Sequence, residues 1–383
     1  MFNLTNTFDF VVKYCFYFIF LYFILILVFD RLNKKLFVLF GVALLGLIAV
    51  FRFNIGSDYH SYYFIYEWTN DSGISSFLSS NIGIEIGFKF VIVFFKNLGL
   101  SYQVFIGSLS VFMLGLITHY IFANGRNRIM PLLVYYSMFF VVWNLSGLRQ
   151  GLALTLAFYL LYNPKYSFND WIRVFIVLLL STLHYSALIL LIFLVLEKID
   201  WNQKRLLIFL VISVLFSLIP IQGIFVYLSQ ASFLGSLPFY QKAMYYIVGM
   251  APTYGFLDVF SMMRIFFAVL VLVHYPRLVA ENKQWKRIID TLVLGMGIFL
   301  ILSFNDLIAG RLSIYALILL VPVLPMIVGL YEKNRVLHGL AVGAFIVLNF
   351  FFLFKDLVAM KQQLGIQDGS LIAEYHHIYE TSD

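Results

Sequence analysis

The chain has 383 residues, 62% of them hydrophobic and 12% charged, with a formal net charge of +7. A soluble domain runs nearer about 45–50% apolar and about 25% charged, so too few polar residues remain to cover a water-soluble globule of this size. The basic excess lies in short connections between apolar runs, where it orients a chain in a bilayer; this argues against a nucleic-acid partner.

A membrane-crossing helix needs roughly 20 apolar residues, and such runs recur from one end of the sequence to the other. The expected fold is all-α: a polytopic transmembrane helical bundle of about twelve spans, with residues 1–383 as a single integral membrane domain. No charge-rich stretch is long enough for a second, soluble domain.

In chain order, the first apolar run is Phe10 to Phe29. It is long, lacks a small-residue cleavage site and is followed by Asp30, Arg31, Lys34 and Lys35, so it reads as a retained span rather than a signal peptide. The only cysteine, Cys15, lies inside it, leaving no intrachain disulfide and no thiolate metal site. Six connections are basic: Asp30–Lys35, Asn124–Ile129, Asn163–Arg173, Glu197–Arg205, Pro276–Arg287 and Tyr331–Arg335. Together they hold 16 of the 26 Lys and Arg. The positive-inside rule places them in the cytoplasm. The outer face then receives Arg52 to about Tyr102, Asn144–Gln150, the neighbourhood of His184, Ile221–Tyr254, Asn305–Arg311 and both termini. Gly83–Lys96 carries Glu85 and Lys89 and reads as an outer-surface or partly inserted helix. Trp171–Leu196 reads as two short helices meeting near His184, or as a re-entrant segment. Residues 221–254 are rich in aromatics and read as an external loop lying on the membrane. Residues 355–383 read as an outer-face tail.

Ionisable residues outside the cytoplasmic flanks gather at the outer ends of helices. A charge within a span costs about 2.5–3.5 kcal/mol on insertion scales, so its default reading is functional. The alternative is snorkelling or pairing within the bundle. Four clusters stand out. Arg52-Phe-Asn-Ile-Gly56-Ser-Asp58-Tyr59-His60 combines a turn, a carboxylate, an imidazole and rings, a mixture suited to a sugar; for the tyrosines alone, here with Tyr62, Tyr63 and Tyr66, a belt at the membrane interface is the commoner explanation. Arg149, in Asn144-Leu-Ser-Gly-Leu-Arg149-Gln150, opens a span, where a helix N-terminus already favours anions and a guanidinium adds a fork matching phosphate oxygens. His184-Tyr185-Ser186-Ala187 offers a group able to act as acid or base near neutral pH, or simply a packed histidine. Gly310-Arg311-Leu-Ser313-Ile-Tyr315 repeats the logic of Arg149. Arg264 lies deeper, with Asp258 as a potential neutralising partner. HExxH, CxxC, Walker and GxSxG patterns are absent. No internal repeat is evident, which disfavours an inverted-repeat transporter.

Taken in order, these elements resemble the EpsG family of polysaccharide polymerases, a branch of the Wzy-type enzymes. The resemblance rests on Arg52 with Ile55-Gly56-Ser57-Asp58-Tyr59, then Glu85-Ile86-Gly87-Phe88, Arg149-Gln150, His184-Tyr185-Ser186-Ala187, and Arg311 with Ser313 and Tyr315. It implies a membrane-embedded, metal-independent glycosyltransferase. Such an enzyme joins oligosaccharide repeat units carried on undecaprenyl pyrophosphate at the outer (periplasmic or extracellular) face of the bacterial inner membrane. The growing glycan is the donor and a new lipid-linked unit the acceptor. No metal, nucleotide sugar or other cofactor is expected. The partners would be the lipid-linked oligosaccharides and the bilayer, with a chain-length regulator and a flippase as companions in the pathway.

Breaking the anomeric bond puts negative charge on the leaving pyrophosphate, which fixed guanidinium groups stabilise most in the transition state. Arg149 and Arg311 are the first choices for that role, with Arg52 and Arg264 in reserve. His184 is the first choice of base and Asp58 the second; Glu85 positions sugar hydroxyls. Tyr59, His60, Gln150 and Tyr315 complete the expected sugar contacts. A ligase using the same lipid-linked donor, a flippase or other transporter, and a membrane acyltransferase remain as rivals at this point.

Overall fold

The computed structural model describes residues 11–29, 35–72, 74–80, 82–125, 127–219, 258–281 and 285–367. Among them there is no strand; the chain is helix joined by short turns. The expected external loop at 221–254 and the last residues of the tail, 368–383, lie outside the described residues.

In chain order, a π-helical turn at Val11–Phe16 leads into α1 (Tyr17–Val28), followed by α2 (Lys35–Phe51), α3 (Tyr59–Ser72), α4 (Ile74–Ser79), α5 (Ile86–Asn97), α6 (Tyr102–Asn124) and α7 (Ile129–Tyr135). The last continues directly into an eleven-residue π-helical stretch, Tyr136–Ser146, before α8 (Leu148–Leu161). Next come α9 (Asp170–Ser181), a 3-10 turn (Tyr185–Leu188), α10 (Ile189–Leu196), α11 (Gln203–Ser217), α12 (Val259–Glu281), α13 (Lys286–Ile301), α14 (Asp306–Leu317), α15 (Leu320–Gly329) and α16 (Arg335–Gln367).

By internal contacts these form two compact units. Unit 1 comprises Met1–Tyr159, Thr182–His184 and Tyr331–Asp383; unit 2 comprises Leu160–Ser181 and Tyr185–Leu330. In unit 1 an aromatic core holds the polar helix α3 against α4, α5, α6 and the start of α8. Tyr66, Phe77, Phe88 and Phe105 are fully enclosed there. In unit 2 the central element is α13, buried continuously from Ile288 to Leu300.

Among the described residues, four helical stretches have the length and apolarity to cross a membrane: Tyr102–Asn124, Ile129–Ser146, Val259–Ala280 and Arg335–Met360. A fifth is obtained if α14 and α15, bent by 54° at their break, form one broken span. Four further apolar helices are shorter, at Tyr14–Val28, Lys35–Phe51, Leu148–Leu161 and Tyr185–Leu196. A twelve-residue helix rises only ~18 Å against a hydrocarbon core of ~30 Å. A count by apolar runs treats each short helix as a crossing; length and apolarity together mark four or five.

Two local expectations compare directly with the helix bounds. The run from Trp171 to Leu196 does divide near His184, into α9 and, after the 3-10 turn, α10. The last helix does not stop near Phe354; it continues to Gln367, so the expected tail begins as helix. Capping follows residue type. Ser101, Asn202 and Asn305 each accept a hydrogen bond from the backbone amide three residues on, starting α6, α11 and α14.

Candidate functional site

The first group of candidate residues is assembled within unit 1, where the segment from Arg52 to Tyr59 meets the end of the π-helical stretch. Arg52 directly follows α2 and is 2% exposed. Its Nη1 donates to the carbonyl of Asn144 at 3.1 Å, while Nε has no hydrogen-bond partner among the described residues. Burial pushes this guanidinium down to about 10, still well above neutral pH, so the charge is retained. The Gln103 side-chain amide donates to the carbonyls of Val50 and Arg52, pinning the turn to α6.

Asn54 has a φ of 54° and Gly56 a φ of 110°. A Cβ on Gly56 would stand 2.5 Å from the Leu145 carbonyl oxygen. Glycine is therefore required twice over, by conformation and by close approach. One residue on, the Ser57 amide donates to Ser146 Oγ at 3.2 Å, and Ser57 Oγ donates to Asp58 at 3.2 Å. Tyr59 is buried with its hydroxyl donating to Gln103, and His60 is exposed with its ring edge-on to Tyr59.

The second assembly in unit 1 joins three separate motifs. Glu85 stands in extended conformation just before α5, at a helix N-terminus that favours a carboxylate. Arg149 lies in the first turn of α8 and donates from Nη1 to Glu85 Oε2 at 2.8 Å. The same Nη1 lies 3.3 Å from the Gly83 carbonyl, and both the Arg149 amide and Nε reach the Tyr62 hydroxyl at 3.4 Å. The Glu85 side chain is 5% exposed and that of Arg149 26%. Lys89, one turn into α5, donates to the carbonyls of Leu78 and Ser80 and so closes the loop that carries Glu85. The Gly87 amide donates to the Thr182 carbonyl at 2.8 Å, and any side chain at Gly87 would collide with Thr182. This brings the Thr182–His184 segment to the start of α5. His184 itself is half-buried, and Gln150 is buried beside Arg149 in sequence.

Unit 2 holds the remaining candidates. Tyr315 on α14 is fully buried, and its hydroxyl pairs with Ser186 Oγ at 3.1 Å. Arg311 is exposed on α14. Arg264 on α12 is buried with its guanidinium 4.8 Å from the centre of the Phe299 ring, a cation–π contact. Asp258, considered from sequence as its neutralising partner, accepts from the Phe260 amide and caps α12.

Sequence reasoning grouped these residues by their shared face and did not find their pairings. It weighed the tyrosines after Asp58 as sugar-stacking rings or an interfacial belt, gave Ser146 no role and did not single out Gln103. It also passed over a buried ion pair of unit 2. Arg173 of α9 pairs with Glu197, just past α10, and Thr291 of α13 donates to the same carboxylate at 3.3 Å. Nothing short of contact order in space signals such pairs, since both charges lie in ordinary basic flanks.

The chemical consequence of the Arg149–Glu85 contact is specific. A carboxylate at hydrogen-bond distance matches most of the guanidinium charge. A second anion within about 4 Å of both groups would be attracted and repelled by similar amounts, each about 4 kcal/mol at an effective dielectric of about 20.

The family model for the EpsG family matches residues 35–368. This chain belongs to the EpsG family. The match takes in every motif named above, from Arg52 to Tyr315, and membership implies a polysaccharide polymerase-like, glycosyltransferase-type function acting on lipid-linked oligosaccharides in a membrane. Neither a curated protein nor a solved structure matches the chain.

Proposed function

We propose that this EpsG-family chain polymerises polysaccharide by joining undecaprenyl-pyrophosphate-linked repeat units at the outer face of the bacterial inner membrane. The match over residues 35–368 carries the reaction class. The distribution of basic connections supports the orientation. In this reading residues 1–383 act as one membrane domain. A flippase and a chain-length regulator would work before and beside it.

In the proposed reaction the acceptor hydroxyl attacks the anomeric carbon of the donor. The carbon–oxygen bond to the diphosphate breaks, and the hydroxyl proton passes to a base. His184 is placed first for that base and Asp58 second. The leaving diphosphate calls for guanidinium groups. Of the four candidates, Arg52 is enclosed, Arg264 is covered by packing and Arg149 is matched by Glu85. Arg311, exposed on α14, therefore comes first.

The test is extension of a purified lipid-linked repeat unit by the purified protein in detergent. Wild type should produce a ladder. Arg311→Ala should lower kcat by about 10²–10³-fold, the usual loss on removing one preorganised donor. A wild-type ladder from Arg311→Ala at equal protein levels removes this leaving-group assignment. Transfer of intact glycan to a different acceptor identifies a ligase, and movement across vesicles without extension identifies a flippase.

A further inference from the structure

We infer that Arg149 recognises a neutral sugar oxygen rather than the diphosphate, and that Glu85 is the buried positioning residue that sets this preference. The identity of the sugar, a repeat unit of the polymer, rests on the polymerase reading; the preference for neutral over anionic ligand does not.

Three observations carry it. First, the guanidinium is not held by charge alone. Tyr62 of α3 and the loop residues Gly83 and Glu85 before α5 occupy Nε and Nη1 from two separate chain segments, so its plane is fixed. Among the described residues the hydrogen bonds of the side chain all use Nε and Nη1, so Nη2 is the edge offered to a ligand on a side chain 26% exposed. Second, Glu85 is nearly enclosed and is itself anchored by its place before α5 and by the Lys89 contacts that close its loop. At 5% exposure the carboxylate has little space into which to swing aside for an incoming phosphate. Third, the pair is close to neutral as a unit, so the outward edge offers a directed hydrogen bond with little net charge behind it. A ring or hydroxyl oxygen of a sugar matches such a donor; a diphosphate needs an uncompensated cation.

The preference predicts opposite signs for two probes. One is the neutral repeat-unit oligosaccharide released from its lipid; the other is farnesyl pyrophosphate. Wild type should bind both, the second through arginines other than Arg149. Glu85→Gln keeps the size and removes the charge, freeing Arg149. It should weaken the oligosaccharide by about three- to tenfold, through lost alignment, and tighten farnesyl pyrophosphate by about five- to tenfold. General damage to the fold would weaken both together. Tyr62→Phe removes one hydroxyl that orients the guanidinium. It should weaken the oligosaccharide and leave farnesyl pyrophosphate within twofold, about the limit of such a titration.

Glu85→Gln binding the oligosaccharide as wild type does, or losing affinity for farnesyl pyrophosphate, overturns the inference. So does a loss of farnesyl pyrophosphate binding in Arg149→Gln with the oligosaccharide unaffected. Failure of the wild type to extend lipid-linked units would remove the polymerase reading and leave the two-probe result to stand separately.

Discussion

At the scale of single residues, the turn from Arg52 to Tyr59 is where identity matters most. Gly56→Ala would place a β-carbon against the Leu145 carbonyl in a backbone region that L residues avoid. A strained φ alone costs of order 1–3 kcal/mol, and the close contact adds to it. The expected result is a lowered Tm in detergent together with lost activity. Gly46→Ala supplies the contrast. That glycine lies within α2 and a Cβ there would meet nothing within 4 Å, so the substitution should be neutral or stabilise by up to about 1 kcal/mol. Equal destabilisation by both would mean that the turn is not the strained point. The types of residue at this turn were legible from the sequence, because a glycine, an aspartate and an arginine have few ordinary uses at the end of an apolar run. Their contacts were not. Arg52 reaches Asn144, 92 positions away, and Arg149 reaches Glu85, 64 positions away. Nothing local in the sequence distinguishes these partners from their neighbours.

At the scale of elements, periodicity and apolar length located the helices but did not fix how each is used. The stretch holding Glu85 and Lys89 shows why. Its two charges suggested an outer-surface or partly inserted helix, and the face of α5 that carries Phe88, Lys89, Ile92 and Val93 is buried against the aromatic core of unit 1. The lysine is accommodated because the carbonyls of Leu78 and Ser80 turn toward it, a compensation that only the folded loop supplies. In unit 2 the same logic makes a prediction. Arg173 and Glu197 are buried together, their side chains 10% and 5% exposed, and join the starts and ends of α9 and α10. Removing one partner strands a buried charge and costs about 3–5 kcal/mol. Arg173→Met and Glu197→Met should each lower the Tm sharply, while the double variant should recover much of the loss. Additive losses in the double variant would show that the two charges are stabilised independently.

At the scale of the whole chain, the open quantity is how many times the backbone crosses the bilayer, and the α9–α10 segment decides two of those crossings. With twelve and eight residues, these helices rise ~18 Å and ~12 Å, each short of a ~30 Å hydrocarbon core. The connections before and after them are both basic, which favours the cytoplasm for each. The Arg173–Glu197 pair clasps the two helices at the ends that bear those connections. A hairpin that enters from one side and returns to it satisfies all three conditions, and the non-helical backbone around His184 then has to sit within protein or beside water, since lipid offers its carbonyls and amides no partner. Single cysteines at two exposed lysines, introduced after Cys15→Ser has removed the native exposed thiol, test this. In Lys165→Cys and Lys204→Cys, a membrane-impermeant maleimide should label both sites in inside-out vesicles and neither in intact cells. Labelling of the two from opposite sides would instead make the segment one continuous crossing. It would carry Lys198, Lys204 and Arg205 to the outer face, and would reverse the assigned side of the segments that follow up to the next ambiguous turn.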